Sequence, residues 1–279
     1  MQLQEFACVA TLTDICHEDR KMIFPYNDKS ISYRISGSGP AVVLLHGVLE
    51  NKEMWSPIEE LLNPDFTTLT IDLPGHGESE VLGEMHSMET MADIVRALLE
   101  FHQITTVSII GHSMGGYVAL AFMEQYKSMV RQLVLLNSTP YADSEERRQN
   151  RDRALEIIPK NKELFIPMAI KNLFAEDTRM EYSEAIEQLI DDANDMDVNG
   201  IVAAIKGMRD REDRSEMLKH FDGSKIIVAG TKDSVVPISD SRKAANYTGS
   251  KLIEVESGHM TLVENVKEII KIVHFIEYF

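Results

Sequence analysis

One serine of this chain lies in a pattern of residues that could make its hydroxyl a nucleophile. Ser113 is the centre of residues 111–115, which read Gly-His-Ser-Met-Gly. The apolar, β-rich run 106–110 precedes the pattern, and the helix-forming run 117–124 follows it. On a sharp turn between a strand and a helix, the two glycines avoid collisions with both elements, and the strained backbone points the serine hydroxyl out of the sheet. The pattern predicts a nucleophilic serine, although a simple glycine-rich turn would carry the same letters.

A serine hydroxyl is a poor nucleophile, so it needs a base, and the base needs a carboxylate that orients it. Asp233 follows the apolar run 225–230, and His259 follows the run 252–255. Both runs are typical of buried parallel strands, and open α/β sheets bind their ligands at the carboxyl ends of such strands. We therefore expect Asp233 to orient His259, and His259 to take the proton of Ser113.

Other acidic and histidine residues of the C-terminal third fit these roles less well. Asp240 falls inside the helix that Pro237 starts. His220 precedes a turn that leads into a strand, and His274 lies on the last helix at the spacing of core residues. None of them combines the chain order and the strand-end position of Asp233 and His259.

A third group of residues could stabilise the negative charge that develops during acyl transfer. The strand-like run 41–45 ends in His46-Gly47. Two backbone N–H groups can hold the oxyanion of a tetrahedral intermediate. One belongs to the residue after the nucleophile, Met114, and Val48 is best placed to supply the other. An ordinary turn at the end of a strand is the plainer interpretation of His46-Gly47 taken alone.

With these pieces in register, the chain resembles members of the α/β-hydrolase superfamily, and it is most similar to small single-domain bacterial hydrolases. The resemblance covers roughly residues 22–279 and includes the run Asp-Leu-Pro-Gly-His-Gly-Glu-Ser at 72–79, which is expected to be structural. It implies a mostly parallel eight-stranded sheet flanked by helices, with a helical cap insertion. It also implies Ser113 as nucleophile, His259 as base and Asp233 as orienting acid.

The pattern of elements divides the chain into four segments. Residues 1–21 are interpreted as an N-terminal extension, 22–139 as the first part of the core, 140–222 as a helical cap and 223–279 as the second part of the core. Strands alternate with helices outside the cap, which favours a parallel sheet covered on both faces. The cap segment contains no convincing strand and would lie over Ser113, where caps exclude water and shape specificity.

Four arginines cluster near the start of the predicted cap. They are Arg147, Arg148, Arg151 and Arg153. A solvated helix face is the plainer interpretation of this cluster. The sharper hypothesis is that one of these arginines points inward and binds a carboxylate of the substrate, because a guanidinium matches the geometry of a carboxylate.

An acidic run inside the predicted cap matches the first half of a calcium-binding loop. Residues 195–200 read Asp-Met-Asp-Val-Asn-Gly, but the position that should hold a bidentate glutamate is Lys206. A lysine cannot bind calcium. We therefore interpret the run as acidic residues in front of a helix N-terminus, and we expect no metal and no cofactor.

Composition and charge exclude several classes of protein. The 279 residues carry 45 acidic and 28 basic side chains, a formal net charge of −17, which makes nucleic acid an unsuitable partner. Cys8 and Cys16 are too few for a disulfide scaffold. No apolar run approaches the length of a membrane span, and residues 1–21 lack the basic start of a signal peptide. We expect a cytoplasmic protein with a small-molecule substrate, as a monomer or a homodimer.

The function predicted from these residues is hydrolysis of a small ester or related carbonyl compound through an acyl-enzyme. Two alternatives stay open. One is a small-molecule sensor of the same fold that turns over slowly, and the other is a lyase or C–C hydrolase that uses the same three residues. Fold alone does not decide among them.

Overall fold

The computed structural model describes residues 22–273 of the chain. Its strands are β1 (Met22–Tyr26), β2 (Lys29–Gly37), β3 (Ala41–Leu45), β4 (Thr67–Ile71), β5 (Val107–His112), β6 (Val130–Leu136), β7 (Ser224–Gly230) and β8 (Lys251–Val255). Its helices are α1 (Ser56–Leu62), α2 (Met88–Phe101), α3 (Met114–Gln125), α4 (Glu145–Lys171), α5 (Ser183–Asp195), α6 (Val198–Arg209), α7 (Ser215–Lys219), α8 (Ile238–Thr248), α9 (Thr261–Glu264) and α10 (Val266–Val273). The predicted extension 1–21, both cysteines and His274 lie outside the described residues.

All eight strands form one sheet in the order β1-β2-β4-β3-β5-β6-β7-β8. Strand β2 runs antiparallel to β1 and β4, and the pairs from β4 to β8 are parallel. Strands that are covered on both faces read as continuous apolar runs, which is how β3, β5, β6 and β7 read. The mostly parallel eight-stranded sheet predicted from the sequence is confirmed. Its parallel strands end at one edge of the sheet, where the loops after β3, β5, β7 and β8 meet.

Two apolar layers cover the sheet. Helices α2, α3 and α8 pack on one face, and α1 and α10 pack on the other. One face of α2 is an apolar stripe, because Met91, Ile94, Val95 and Leu98 are fully buried at the spacing of one helix face. Removing water from such side chains contributes about 1.5–3 kcal/mol each, so this stripe anchors α2 against the sheet.

The chain between β6 and β7 forms four helices, α4 to α7, which we call the cap. The sequence predicts two helices over 145–157 and 162–174, and the structure joins them into the long helix α4. The backbone at Asn161 leaves the helical region, with φ −146° and ψ 48°, two residues after Pro159. A proline inside a helix removes a hydrogen bond and clashes with the preceding turn, so the kink agrees with the predicted break. Helix α7 was not predicted.

The calcium-like run leads directly into helix α6. The side chain of Asp197 accepts the backbone N–H of Asn199 at 2.8 Å and caps the helix, whose interior contains Lys206. This agrees with the interpretation as acidic residues in front of a helix. Between residues 22 and 273, no group of three or more His, Cys, Asp or Glu side chains could hold a metal ion.

A helix that crosses a bilayer is both long and apolar. In the described part of the chain, no helix is long and apolar enough to cross a membrane.

Candidate active site

The turn at Ser113 has the strained geometry that the G-x-S-x-G pattern predicts. Its backbone angles, φ 50° and ψ −113°, lie in a region that residues other than glycine rarely adopt. A Cβ at Gly111 would lie 2.4 Å from the carbonyl oxygen of Gly115, and a Cβ at Gly115 would lie 2.2 Å from that of Leu45. Glycine at both positions therefore lets α3 begin directly against the ends of β5 and β3, with the serine at the bend.

The three residues predicted to form a triad lie in one chain of hydrogen bonds. The Oγ of Ser113 is 2.8 Å from Nε2 of His259, and Nδ1 of His259 is 2.8 Å from Oδ2 of Asp233. A carboxylate only accepts, so Nδ1 carries the proton, and Nε2 is left to accept the proton of the serine. The three side chains come from the turn after β5 and the loops after β7 and β8.

Asp233 is held as a carboxylate by donors from three directions. Its Oδ1 accepts the backbone N–H groups of Val235 at 2.7 Å and Val236 at 2.8 Å, and its Oδ2 accepts the side-chain amide of Asn137 at 3.0 Å. Burial alone would raise the pKa of Asp233, but the adjacent His259 and these hydrogen bonds hold that pKa below its ordinary value. The acid of the site therefore stays charged and fixes the orientation of the imidazole.

The two predicted oxyanion donors lie on adjacent segments. Met114 is the first residue of α3, where a backbone N–H has no acceptor within the helix. Val48 follows His46-Gly47 after β3, and its N–H makes no hydrogen bond to residues 22–273. The close approach of Gly115 to the end of β3 brings the start of α3 beside this loop. The geometry suits both N–H groups to the predicted role.

A second buried histidine–carboxylate pair lies next to the first, and the sequence did not predict it. His112 Nδ1 lies 2.9 Å from Oε2 of Glu50, and His112 Nε2 lies 3.0 Å from the main-chain oxygen of His259. Both acceptors are oxygens, so both ring nitrogens donate and the ring is charged. Burial opposes this charge, but Glu50 raises the pKa of His112, and His112 in turn lowers the pKa of the buried Glu50.

The same glutamate also holds the loop that contains Val48. The backbone N–H of Gly47 donates to Oε2 of Glu50 at 2.6 Å. The pair thus joins the loop after β3, the residue before Ser113 and the backbone of His259. A lone acidic residue directly after the apolar Val48-Leu49 was the signal in the sequence that could have indicated it.

The neighbouring His46 has a structural role. Its Nε2 accepts the backbone N–H of Leu73 at 2.9 Å, and its Nδ1 donates to the carbonyl oxygen of Gly47 at 2.7 Å. Burial, with the nearby His76, lowers the pKa of His46 to about 3. The ring is therefore neutral and holds the loop after β3 against the loop after β4.

Glu264 connects the cap to the loop that carries His259. Its carboxylate accepts the backbone N–H of Gly258 at 2.9 Å and the hydroxyl of Thr178 at 3.0 Å. The N–H of His259 in turn donates to the carbonyl oxygen of Leu173 at 2.7 Å. The position of the base thus depends directly on the segment that joins α4 to α5. The sequence did not indicate this connection, because the contacting residues are more than 80 positions apart.

A cavity of about 600 Å³ lies between the cap and this edge of the sheet. From the core it is lined by Val48, whose N–H is a predicted oxyanion donor, and by Val235, whose N–H donates to Asp233. From the cap it is lined by one face of α4. Ser113 is 8% exposed and does not itself line the cavity. A volume of this size fits a small-molecule substrate.

The other candidates from the sequence lie elsewhere or serve the fold. Asp240 is exposed in the first turn of α8 and lines the cavity, without a hydrogen bond to His259. His220 is exposed and pairs with Glu216 at 2.8 Å. The carboxylate of Asp72 accepts both the backbone N–H and the ammonium of Lys52 at 2.8 Å, which agrees with the structural role expected of the 72–79 run.

Comparison with known proteins places the chain in a family. A family model described as alpha/beta hydrolase fold matches residues 40–266. The chain belongs to the α/β-hydrolase family. The relatives of this hydrolase include pyrrolizixenacetamide deacetylase of Xenorhabdus hominickii, 26% identical over 255 residues, which are 87% of this chain and 92% of that enzyme.

A solved structure is similar over nearly the whole hydrolase. A thermophilic esterase from Thermogutta terrifontis superposes with a TM-score of 0.85 and 26% identity, covering 91% of this chain and 97% of that one. An uncharacterized protein of Mycobacterium tuberculosis is 38% identical over 107 residues, and the match spans only 31% of that protein's length. Family membership, together with the esterase that is similar over nearly the whole chain, supports a hydrolase enzyme.

Proposed function

We propose that this hydrolase cleaves small carboxylic esters through an acyl-enzyme on Ser113. The observation that carries the proposal is the continuous hydrogen-bond chain from Ser113 through His259 to Asp233, with 2.8 Å at both steps. Nucleophile, base and orienting acid are within hydrogen-bond reach of one another, which is the arrangement that activates a serine hydroxyl. The strained turn and the adjacent cavity support the same role.

In the first half of the reaction, Ser113 Oγ attacks the carbonyl carbon of the ester while Nε2 of His259 takes its proton. The carbonyl oxygen becomes an oxyanion, which the N–H groups of Val48 and Met114 stabilise. Loss of one such donor typically lowers the rate about 10²- to 10³-fold. The intermediate collapses when the carbon–oxygen bond to the alcohol breaks and His259 returns the proton to the leaving alkoxide.

In the second half, water attacks the acyl-enzyme by the same route. His259 takes a proton from the water, the oxyanion forms again, and the bond to Ser113 breaks as the serine recovers its proton. Asp233 remains ionised throughout and stabilises the charged imidazole of both intermediates. Its fixed hydrogen bonds keep the ring in the tautomer that leaves Nε2 free.

The test is the variant Ser113→Ala, measured with short aryl esters. We expect kcat to fall on the order of 10⁶-fold, with an unchanged thermal unfolding transition. Ser108→Ala, on the same strand β5, is the matched control and should keep wild-type turnover. Wild-type turnover by Ser113→Ala would show that another group is the nucleophile.

The same assay separates an enzyme from a sensor. Sustained multiple turnovers by the wild-type protein support the proposed esterase. A single slow turnover, accompanied by a ligand-induced rise in melting temperature, would instead support a sensor that binds its ligand covalently.

A further inference from the structure

The cavity under the cap is polar at one end and apolar at the other, and helix α4 lines both ends. Its first turns contribute Arg147, Asn150 and Arg151, whereas its later turns contribute Phe165 and Ala169. The lining from other elements is mostly apolar and also includes Ser234 and Asp240; its apolar members are Val48, Leu49, Leu173, Ile205, Val235 and Pro237. A ligand that matches this lining has a hydrocarbon part and one polar end.

Arg147 is the side chain at the polar end that is available to a ligand. It is half-buried, and no Asp or Glu oxygen among residues 22–273 lies within 4.0 Å of its guanidinium nitrogens. The other arginines of the cluster differ from it. Arg151 pairs with the buried Asp143, Arg153 is exposed and donates to Asn150, and Arg148 is exposed and does not line the cavity.

The charges behind the polar end add to the effect of Arg147. Asp143 is fully buried between two guanidiniums, that of Arg151 and that of Arg211, the latter at 2.7 Å. Two guanidiniums thus share one carboxylate, and the three groups together carry a net charge of +1. Glu146 and Asp240 also line the cavity, but both are exposed, and water screens their charges.

We propose that Arg147 binds a carboxylate of the substrate, so that the enzyme acts on esters whose acyl part carries a free carboxylate at its far end. The inference rests on the proposed function. A guanidinium binds a carboxylate through two parallel N–H···O bonds, and partial burial strengthens the interaction relative to open water. The apolar face of the cavity holds the hydrocarbon chain between the carboxylate and the reacting carbonyl.

The test compares two esters of equal acyl length, mono-4-nitrophenyl adipate, which is an anion, and 4-nitrophenyl hexanoate, which is neutral. The wild-type enzyme should show the larger kcat/KM on the adipate ester. Arg147→Met should lower the ratio of the two kcat/KM values about 10- to 100-fold, as expected for loss of a charged hydrogen bond. Arg147→Lys should restore part of the ratio, because it keeps the charge and loses the paired geometry.

Arg148→Met is the matched control, because it removes the same charge one residue along the same helix. It should leave the ratio unchanged, since Arg148 does not line the cavity. An equal loss on both esters in Arg147→Met, or no preference of the wild-type enzyme for the anion, would overturn the proposal.

A binding measurement separates this proposal from the proposed function. Calorimetry of mono-4-nitrophenyl adipate with Ser113→Ala, and with the same variant carrying Arg147→Met, requires no turnover. Weaker binding in the double variant supports the carboxylate site even if ester hydrolysis is not observed. Equal affinities would overturn the site even if Ser113 proves to be the nucleophile.

Discussion

Two histidine–carboxylate pairs lie side by side at the active edge of the sheet, with ring centroids 5.2 Å apart. In each pair Nδ1 faces a buried carboxylate, at 2.8 Å for His259–Asp233 and 2.9 Å for His112–Glu50. The pairs differ at Nε2. That of His259 meets the serine hydroxyl beside the cavity, whereas that of His112 donates to a main-chain oxygen. The two histidines therefore differ in the proton transfers open to them, although each is paired with a carboxylate.

The comparison shows that the third partner decides what such a pair can do. A histidine whose Nε2 is committed to a backbone carbonyl has no free site for a proton, so the His112–Glu50 pair can only hold its surroundings in place. A histidine whose Nε2 faces a hydroxyl can exchange a proton with it. We therefore expect substitutions in the His259–Asp233 pair, the first pair, to change kcat. Substitutions in the His112–Glu50 pair, the second pair, should change the free energy of unfolding.

Among substitutions in the two pairs, the largest effect is expected at Asp233, the carboxylate beside His259. Asp233→Asn should lower kcat about 10⁴-fold, because the amide favours the wrong tautomer of His259. Steady-state kinetics with an aryl ester measure it, and denaturant unfolding should show a much smaller change. Asp240→Asn, at the rival acid, is the control and should have a far weaker effect on kcat. A similar loss in both variants would mean that the acid has been assigned incorrectly.

A change at the carboxylate of the second pair should act mainly on folding. Glu50→Gln should lower the free energy of unfolding by about 3 kcal/mol, because it leaves a buried charge without its partner. Urea unfolding at pH 6 measures it. Glu53→Gln is the control and should lose less than about 1 kcal/mol, because Glu53 is exposed and its partners Arg34 and Lys52 keep other carboxylates. In a double-mutant cycle with His112→Gln, the two losses should be clearly less than additive. Additive losses would contradict a direct interaction.

The smallest expected effect is the change with pH in the stability that the His112–Glu50 pair contributes. The pKa of Glu50 lies below its ordinary 4.5, so its contribution is present above that pH and is lost as pH falls through the folded-state pKa. The pKa of His112 lies above its ordinary 6.5, so its contribution is present below that pH and is lost as pH rises through the folded-state pKa. The stability difference between wild type and the double variant should therefore be largest between pH 4.5 and 6.5. A difference independent of pH would exclude an ionic pair.

Much of the site could be predicted because its residues occupy positions defined by local sequence. Gly111 and Gly115 surround Ser113 where a strand leads into a helix, and the backbone geometry confirms why they are needed. Asp233 and His259 directly follow apolar strands, and parallel topology brings the ends of such strands together. These positions could be predicted before any tertiary contact was known.

Other residues could not be predicted, because their partners are distant in the chain. Glu50 meets His112 across 62 positions, and Glu264 meets Thr178 of the cap across 86 positions. Among the cap arginines, sequence patterns could not separate Arg147 from its neighbours, since all lie on one charged helix.

The amino-acid sequence by itself determined the sheet, the turn at Ser113 and the strand-end positions of the proposed acid and base, because apolar periodicity and glycine placement act over a few residues. Only the tertiary structure decided which histidine has its Nε2 at a serine hydroxyl, and which arginine lines the cavity without a carboxylate partner among the described residues. Those properties depend on which groups surround a side chain after packing. A buried polar or charged group cannot bind water instead, so the partner that it meets decides its protonation and its role.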